Sequence, residues 1–451
     1  MSKIIVAGAG IGGIVSAGKL AAVGHDVTLY ETKDISQCGH DQKDAFDATA
    51  MDFAGIEIPD GYITPPNQIT YYSKDKNIDG LRVPALENYI NINVERKTLF
   101  NYLYSLALKD GVKFSFNTKV ISPIIENDKV IGIKTDKGDK FADMIIDSCG
   151  IDSPLRTNLP ESMLIEKEAG KYNYIYSYRV IYDRKANLSD PVDTYSIYFI
   201  SDTGFVWEIT EDDYVDILIV DFNDISSFMI SDSMMQIRER NPHIGRGKIR
   251  NGRFCKIPVR QPAAVFVANS YAAIGDAAFM TAPIKGSGIS NSLKAATILA
   301  NVICEETEDN FGVEHLWKYE IEYFNQVGFN SCKQALMKNL VPHMTADEIS
   351  EIFKKGLITN EEITYIYSNN VSLPRLIRKA KDKIKVINDL PEFKNQLLML
   401  VAAYGRFALL DNTLPQTYSK DELIKWKNRY NNFFDNLLIP NQEENEIEDD
   451  E

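Results

Sequence analysis

An α/β fold is predicted, with a parallel sheet at the start of the chain, an antiparallel sheet after it, and helices at the end. Three observations carry this reading. Residues 3–31 run through an apolar strand, a glycine turn, a helix and a second strand. From residue 172 the chain alternates with a period of two. Residues 313–438 show helical spacing, broken near Val341-Pro342, Asn369–Pro374 and Leu414-Pro415.

The opening stretch is the most informative. Ile4–Ala7 suits a buried parallel strand, and Gly8, Gly10 and Gly13 follow in G-x-G-x-x-G spacing, with Gly12 among them. Small and apolar residues recur at helical spacing from Ile14 to Val23, Gly24 ends the helix, and Val27–Tyr30 forms a strand closing on Glu31. Gly8 permits a sharp turn, Gly10 lets a pyrophosphate approach the backbone, and Gly13 lets helix and strand pack closely. The helix N-terminus offers N–H groups and partial positive charge to phosphates, and Glu31 can accept from a ribose hydroxyl. The unit is a Rossmann-type dinucleotide-binding unit.

Composition sets the bounds. A chain of 451 residues, 44% hydrophobic and 25% charged, is a globular protein of two or three subdomains. A net charge of −15 without a basic, aromatic-interleaved stripe excludes a nucleic-acid partner. It also opposes charge-driven docking of the whole chain on anionic lipid, while leaving transient apolar contact with a membrane open. The five cysteines are scattered and form no C-x-x-C pair, so neither a metal site nor a disulfide framework is expected. A reducing, cytoplasmic setting follows. No signal peptide is read, and no apolar run of about 18 residues predicts a spanning helix.

After Glu31 a polar loop carries Cys38-Gly39-His40, and residues 42–91 read as irregular cover over a ligand site. A helix opens in Ile92–Phe100 and runs to about Asp110. Strands are expected at Lys113–Asn117, Val120–Glu126, Val130–Thr135 and Phe141–Asp147. Alternation then puts Tyr172, Tyr174, Tyr176 and Tyr178 on one strand face and Asn173, Ile175, Ser177 and Arg179 on the other. The tyrosine row reads either as a half-buried sheet face or as an aromatic wall over a substrate cavity, with Tyr174, Tyr176 and Trp207 as its pocket residues. Further strands follow at Thr194–Ile200, Gly204–Thr210 and Tyr214–Phe222. A buried strand at Tyr271 ends in Gly275-Asp276, and Pro283–Ile289 leads into a helix through about Glu305.

The fingerprint at the N-terminus, the Arg96 helix, the Cys149-Gly150 step and Gly275-Asp276, in that order, resemble the two-domain flavoprotein family of aromatic hydroxylases, flavin-dependent halogenases and geranylgeranyl reductases. Three details are similar to the geranylgeranyl reductase branch: Cys38-Gly39 after the Glu31 strand, Phe205-Val-Trp207-Glu-Ile209, and Ile257-Pro258-Val259 before Gly275-Asp276-Ala-Ala. The resemblance implies a Rossmann-type FAD-binding domain of the glutathione-reductase kind (residues 1–65, 90–165 and 255–310). It further implies an antiparallel substrate domain (66–89 and 166–254), a helical C-terminal region (311–440) and a disordered acidic tail (441–451). It implies FAD as cofactor, with Gly12 and Glu31 toward the adenosine and pyrophosphate, and Val120 beside the adenine. Cys38 and Gly39 fall along the flavin, Arg96 near the phosphates and ribityl chain, and Asp276, Gly286, Gly288 and Ile289 at the ribityl and flavin end. Cys38 and His40 are the candidate groups near the reacting carbon, and Lys285 is either an electrostatic partner of the flavin or a solvent-facing residue.

Cys149 stands where the family carries an Asp, which weighs against direct NADPH use and leaves NAD(P)H or a ferredoxin-type reductase protein as electron donor. Three functions compete: hydride transfer from flavin N5 to a carbon–carbon double bond of an apolar, isoprenoid-like or enone substrate; hydroxylation of an aromatic substrate; and flavin binding without turnover.

Overall fold

The structure is a computed structural model describing residues 1–59, 61–64, 68–84, 91–168, 170, 173–185, 194–305, 310–339, 344–367, 375, 378 and 381–437. Tyr172, the breaks expected near 341–342 and 369–374, and the acidic tail lie outside the described residues.

A six-stranded sheet organises the first part of the chain. Its order is Val267–Ala268, Tyr271–Ala273, Met144–Asp147, Lys3–Ala7, Asp26–Tyr30 and Lys113–Ser115, parallel throughout except for the Val267–Ala268 edge. Ile4, Ile5, Val6 and Ala7 are fully buried, because a parallel sheet covered by helices has no wet face. The helix Ile11–Ala22 packs against both Arg96–Lys109 and Ile289–Cys304 at this layer. An antiparallel meander, Val120–Glu126, Lys129–Thr135 and Gly138–Phe141, leads back to the sheet through Met144–Asp147.

The second sheet has seven strands, ordered Ile244–Pro258, Tyr174–Arg184, Tyr214–Asp221, Gly204–Thr210, Tyr195–Tyr198, Ile69–Tyr72 and Leu81–Val83. Only Tyr195–Tyr198 and Ile69–Tyr72 pair in parallel. Residues 42–91 are therefore more regular than the sequence suggested, since Lys43–Asp47 and Ile63–Thr64 also pair with Asn91–Glu95. These strands are short and their partners distant, so local periodicity hides them.

The sequence reading also passed over the helix Ser227–Arg240, capped by the Ser226 side chain bonding the Met229 N–H at 3.2 Å. That helix explains the tyrosine row. Met234 and Ile237 cover a sheet face holding Tyr178, Val180, Tyr182, Val206, Ile217 and Ile219. The C-terminal helices include Val313–Tyr323, Phe329–Lys338, Pro391–Leu410 and Lys420–Asp435. Trp426 and Tyr430 seal onto the first unit, bonding Ala264 O and Pro262 O at 3.0 and 2.9 Å.

Candidate active site

One cavity of about 1730 Å³ runs from the glycine turn across the face of the second sheet to the C-terminal helices. Its first end is built from backbone. Gly8 has φ +96°, and a Cβ there would stand 2.3 Å from Ser148 O; one on Gly13 would stand 2.3 Å from Gly8 O. Gly10 and Gly12 line the cavity with Gly8, whereas Gly13 sits behind them in the helix–strand contact. Glu31 also lines it. One carboxylate oxygen accepts the Ala9 N–H at 2.8 Å and the other the Lys33 N–H at 2.9 Å, so Glu31 braces the loop as well as facing the cavity. Val120 and Arg96 stand nearby, with the Arg96 guanidinium held by Asp44.

Further along, Gly275 turns the chain with φ +65°, and the buried guanidinium of Arg156 secures that turn by donating to Ala277 O at 2.9 Å while stacking over Phe279. Asp276 accepts from Thr281 Oγ1 at 2.6 Å, and burial raises its carboxyl pKa. Gly286, Gly288 and Ile289 line the same stretch. A Cβ on Gly288 would crowd Thr281 Oγ1 and Asp276 Oδ1 at 3.1 and 3.3 Å. The helices beginning at Ile11 and Ile289 have no side-chain cap, so their first N–H groups and dipole ends serve the cavity.

This set fits an extended dinucleotide. Two uncapped helix ends open into one cavity, each beside backbone kept bare by glycine, with a buried carboxylate at the second.

Cys38, Gly39 and His40 line the cavity between these ends. Burial, with Glu31 nearby, pushes the Cys38 thiol up to about 11. At pH 8 only about one Cys38 in a thousand is then thiolate. Iodoacetamide on the folded protein at that pH should label exposed Cys304 and leave Cys38 unmodified until the chain unfolds; peptide mapping that finds early label on Cys38 would refute its buried-thiol state. His40 is pushed down to about 4 by burial and by Arg253 and Arg96, and its Nδ1 bonds the Arg253 guanidinium. It is neutral at pH 7 and cannot donate a proton as imidazolium. Burial lowers the Lys285 pKa, against the opposing pull of Asp47, and Lys285 also lines the cavity.

On the second sheet Trp207 lines the cavity, but Tyr174 and Tyr176 do not. Ile175, Ser177 and Arg179, one residue out of phase, take that place. With a period of two, giving one face of a strand to the cavity removes the other from it. Sequence reasoning also missed a buried pair: Arg179 donates to Asp216 through Nε at 2.9 Å and Nη2 at 2.6 Å and stacks over Trp207 at 5.0 Å. The signal available was Arg179 itself, a cation on the non-tyrosine face of an apolar strand. Ile197, Phe205 and Leu218 continue the wall, and Met337, Leu357, Ile387, Phe393 and Leu397 close it from the helices.

No family model matches the chain. A curated relative from Sulfolobus acidocaldarius, named digeranylgeranylglycerophospholipid reductase, is 20% identical over 380 residues, covering 80% of this chain and 82% of the relative. A solved Thermoplasma acidophilum protein, described as geranylgeranyl bacteriochlorophyll reductase-like, superposes with a TM-score of 0.71 at 18% identity, covering 88% of this chain and 99% of its own. The chain is similar in sequence and in fold to these geranylgeranyl reductase proteins. The wider flavoprotein fold extends to Klebsiella pneumoniae HpxO, solved with FAD and uric acid, at TM-score 0.62, 16% identity and coverage of 80% and 95%. Cys149 donates its backbone N–H to Asp147 Oδ1 at 3.0 Å and its thiol to Ala7 O at 3.4 Å. Among the described residues no group of acids, histidines and cysteines could hold a metal, and no helix is long and apolar enough to cross a membrane.

Proposed function

We propose that the protein reduces a carbon–carbon double bond in a long apolar substrate. The observation that carries this is the second half of the cavity: beyond Trp207 its walls are mostly aliphatic and aromatic, and it continues past the sheet into the helices. A ring-hydroxylating site calls for a compact chamber with polar groups gripping one ring. The names of the curated relatives support the same reading.

Reduced FAD, when bound, supplies a hydride from N5. The chain does the rest. The two helix ends, the bare glycines and Asp276 hold and orient the cofactor; the apolar walls keep water from the reacting carbon; and Cys38, a thiol at neutral pH, keeps a proton at Sγ beside the cavity. Hydride and proton together saturate the double bond. We assign the electron supply to a reductase protein rather than to NADPH directly, because Cys149 replaces the family Asp.

The test is anaerobic. Protein reduced with dithionite is mixed with polyprenyl compounds and enones, and flavin reoxidation is followed by stopped flow. Reoxidation by an unsaturated chain, with recovery of the saturated product, is expected. Reoxidation by oxygen alone, with hydroxylation of an aromatic substrate, would move the assignment to a monooxygenase.

A further inference from the structure

The strand Tyr174–Arg184 puts one cation into the wall of the cavity, and its neighbours fix where. Across the second sheet, Arg253, Arg179, Leu218, Trp207, Ile197 and Tyr71 stand opposite one another on successive strands. All six line the cavity and so form one row along its wall. Neighbouring strands lie about 4.8 Å apart, which sets the spacing of the row. At one end the Arg253 guanidinium bonds His40, in the loop that carries Cys38 and Gly39. From Leu218 onward the row is apolar or aromatic. Arg179 therefore stands at the boundary between the dinucleotide half of the cavity and its apolar half.

Two of its three nitrogens are taken. Nε donates to Asp216 Oδ1 at 2.9 Å, and Nη2 donates to Asp216 Oδ2 at 2.6 Å and to Lys43 O at 2.8 Å. The Trp207 ring, 5.0 Å away, holds the plane of the fork. The two N–H groups on Nη1 bond nothing among the described residues. Both side chains are shielded from water, Arg179 at 14% exposure and Asp216 at 4%. Because the carboxylate cancels the cation at contact distance, the pair is a poor holder of a phosphate, whose charges Asp216 would repel. The neighbouring cations Lys43 and Arg96 are likewise paired, with Glu211 and Asp44. What Nη1 suits is an oxygen that is neutral at first and gains negative charge during reaction, where fixed donors in a water-poor site act most strongly.

We propose that Arg179 Nη1 holds a carbonyl oxygen of the substrate, and that the double bond to be reduced is conjugated to that carbonyl. The substrate class is then an α,β-unsaturated ketone or aldehyde on an apolar chain, which lies along Trp207, Ile197 and Tyr71. This rests on the double-bond reading. An isolated double bond has no acceptor for the electron pair that an arriving hydride displaces; an enone has one. Hydride forms a C–H bond at the β-carbon, the C=C π bond breaks, and its electron pair moves onto the carbonyl oxygen. There the Nη1 N–H groups share the charge. The α-carbon then takes one proton and the carbonyl is restored, so the net change is addition of hydride and proton, with both electrons supplied as in the reading above.

The experiment uses the full-length, FAD-loaded protein in two states. Oxidised protein is mixed with a polyprenyl enone, and the infrared carbonyl stretch is read without turnover. The stretch should move to lower frequency on binding to wild type and stay near its free value with Arg179→Lys, whose single nitrogen is held at Asp216 and leaves no second one for the cavity. Protein reduced with dithionite is then mixed anaerobically with the enone and with the same chain carrying a methylene in place of the carbonyl. The enone should reoxidise the flavin about a hundredfold faster, the effect of a donor placed at a developing oxyanion. Arg179→Lys should lose about that factor with the enone, so that the two compounds react at similar rates. The comparison on wild type needs no variant and decides even where Arg179→Lys folds poorly. Equal rates in wild type, a carbonyl stretch unmoved by binding, or a folded variant that slows both compounds alike overturns the proposal and leaves the reductase reading standing. Reoxidation by neither compound, with hydroxylation of an aromatic substrate in air, sinks the reductase reading and this proposal with it.

Discussion

Gly13→Ala should purify colourless and melt well below the wild type. The new Cβ would stand 2.3 Å from Gly8 O and 2.9 Å from Ser148 Oγ, and the nearer atom is backbone, so relief requires the glycine turn itself to open. Gly8→Ala meets the same fate by another route: 2.3 Å from Ser148 O, with φ +96° that an L side chain rarely adopts. Overpacking at rigid backbone costs about 3 kcal/mol, and it displaces the N–H groups that face the cavity. Gly24→Ala is the control. It has the same left-handed φ but nothing within 4 Å, so it should cost only about 1 kcal/mol and retain flavin. Flavin absorbance per protein and thermal melting are the two readings; a yellow, stable Gly13→Ala would overturn the assignment of this turn to the cofactor.

Asp276→Ala should lower FAD affinity by about ten- to a hundredfold, the effect of losing hydrogen bonds to a charged acceptor, about 1.5–3 kcal/mol. Asp276→Asn separates binding from folding. Because burial raises the Asp276 pKa in the folded protein, the folded state favours the protonated form. The stability tied to that proton is full below the unfolded pKa and is lost as pH rises through the folded one. Apoprotein carrying Asp276→Asn should therefore be at least as stable as wild-type apoprotein at pH 7 while holding FAD more weakly. Calorimetry of FAD binding and melting of the apoproteins measure the two effects; wild-type affinity in both variants would remove Asp276 from the cofactor site.

The sequence by itself determined the dinucleotide end of the molecule. Gly8, Gly10, Gly13 and Glu31 lie within one strand–turn–helix–strand unit, and the reasons for glycine there are short-range sterics that a linear pattern records. Cys38-Gly39 and Gly275-Asp276 were legible as cavity-lining positions for the same reason, each being a local turn with a cavity-lining side chain beside it. Tertiary structure decided the substrate end. The two faces of Tyr174–Arg184 are both rich enough in apolar atoms to be buried, and only the packing of Ser227–Arg240 gave Tyr178 and Tyr182 to the core and Ile175, Ser177 and Arg179 to the cavity. His40 is held neutral by burial together with Arg253, which comes from 213 residues away to lie against it. The Arg179–Asp216 pair likewise depends on which surfaces meet across long stretches of chain. Periodicity states that a face is apolar; what covers it is set by distant contacts.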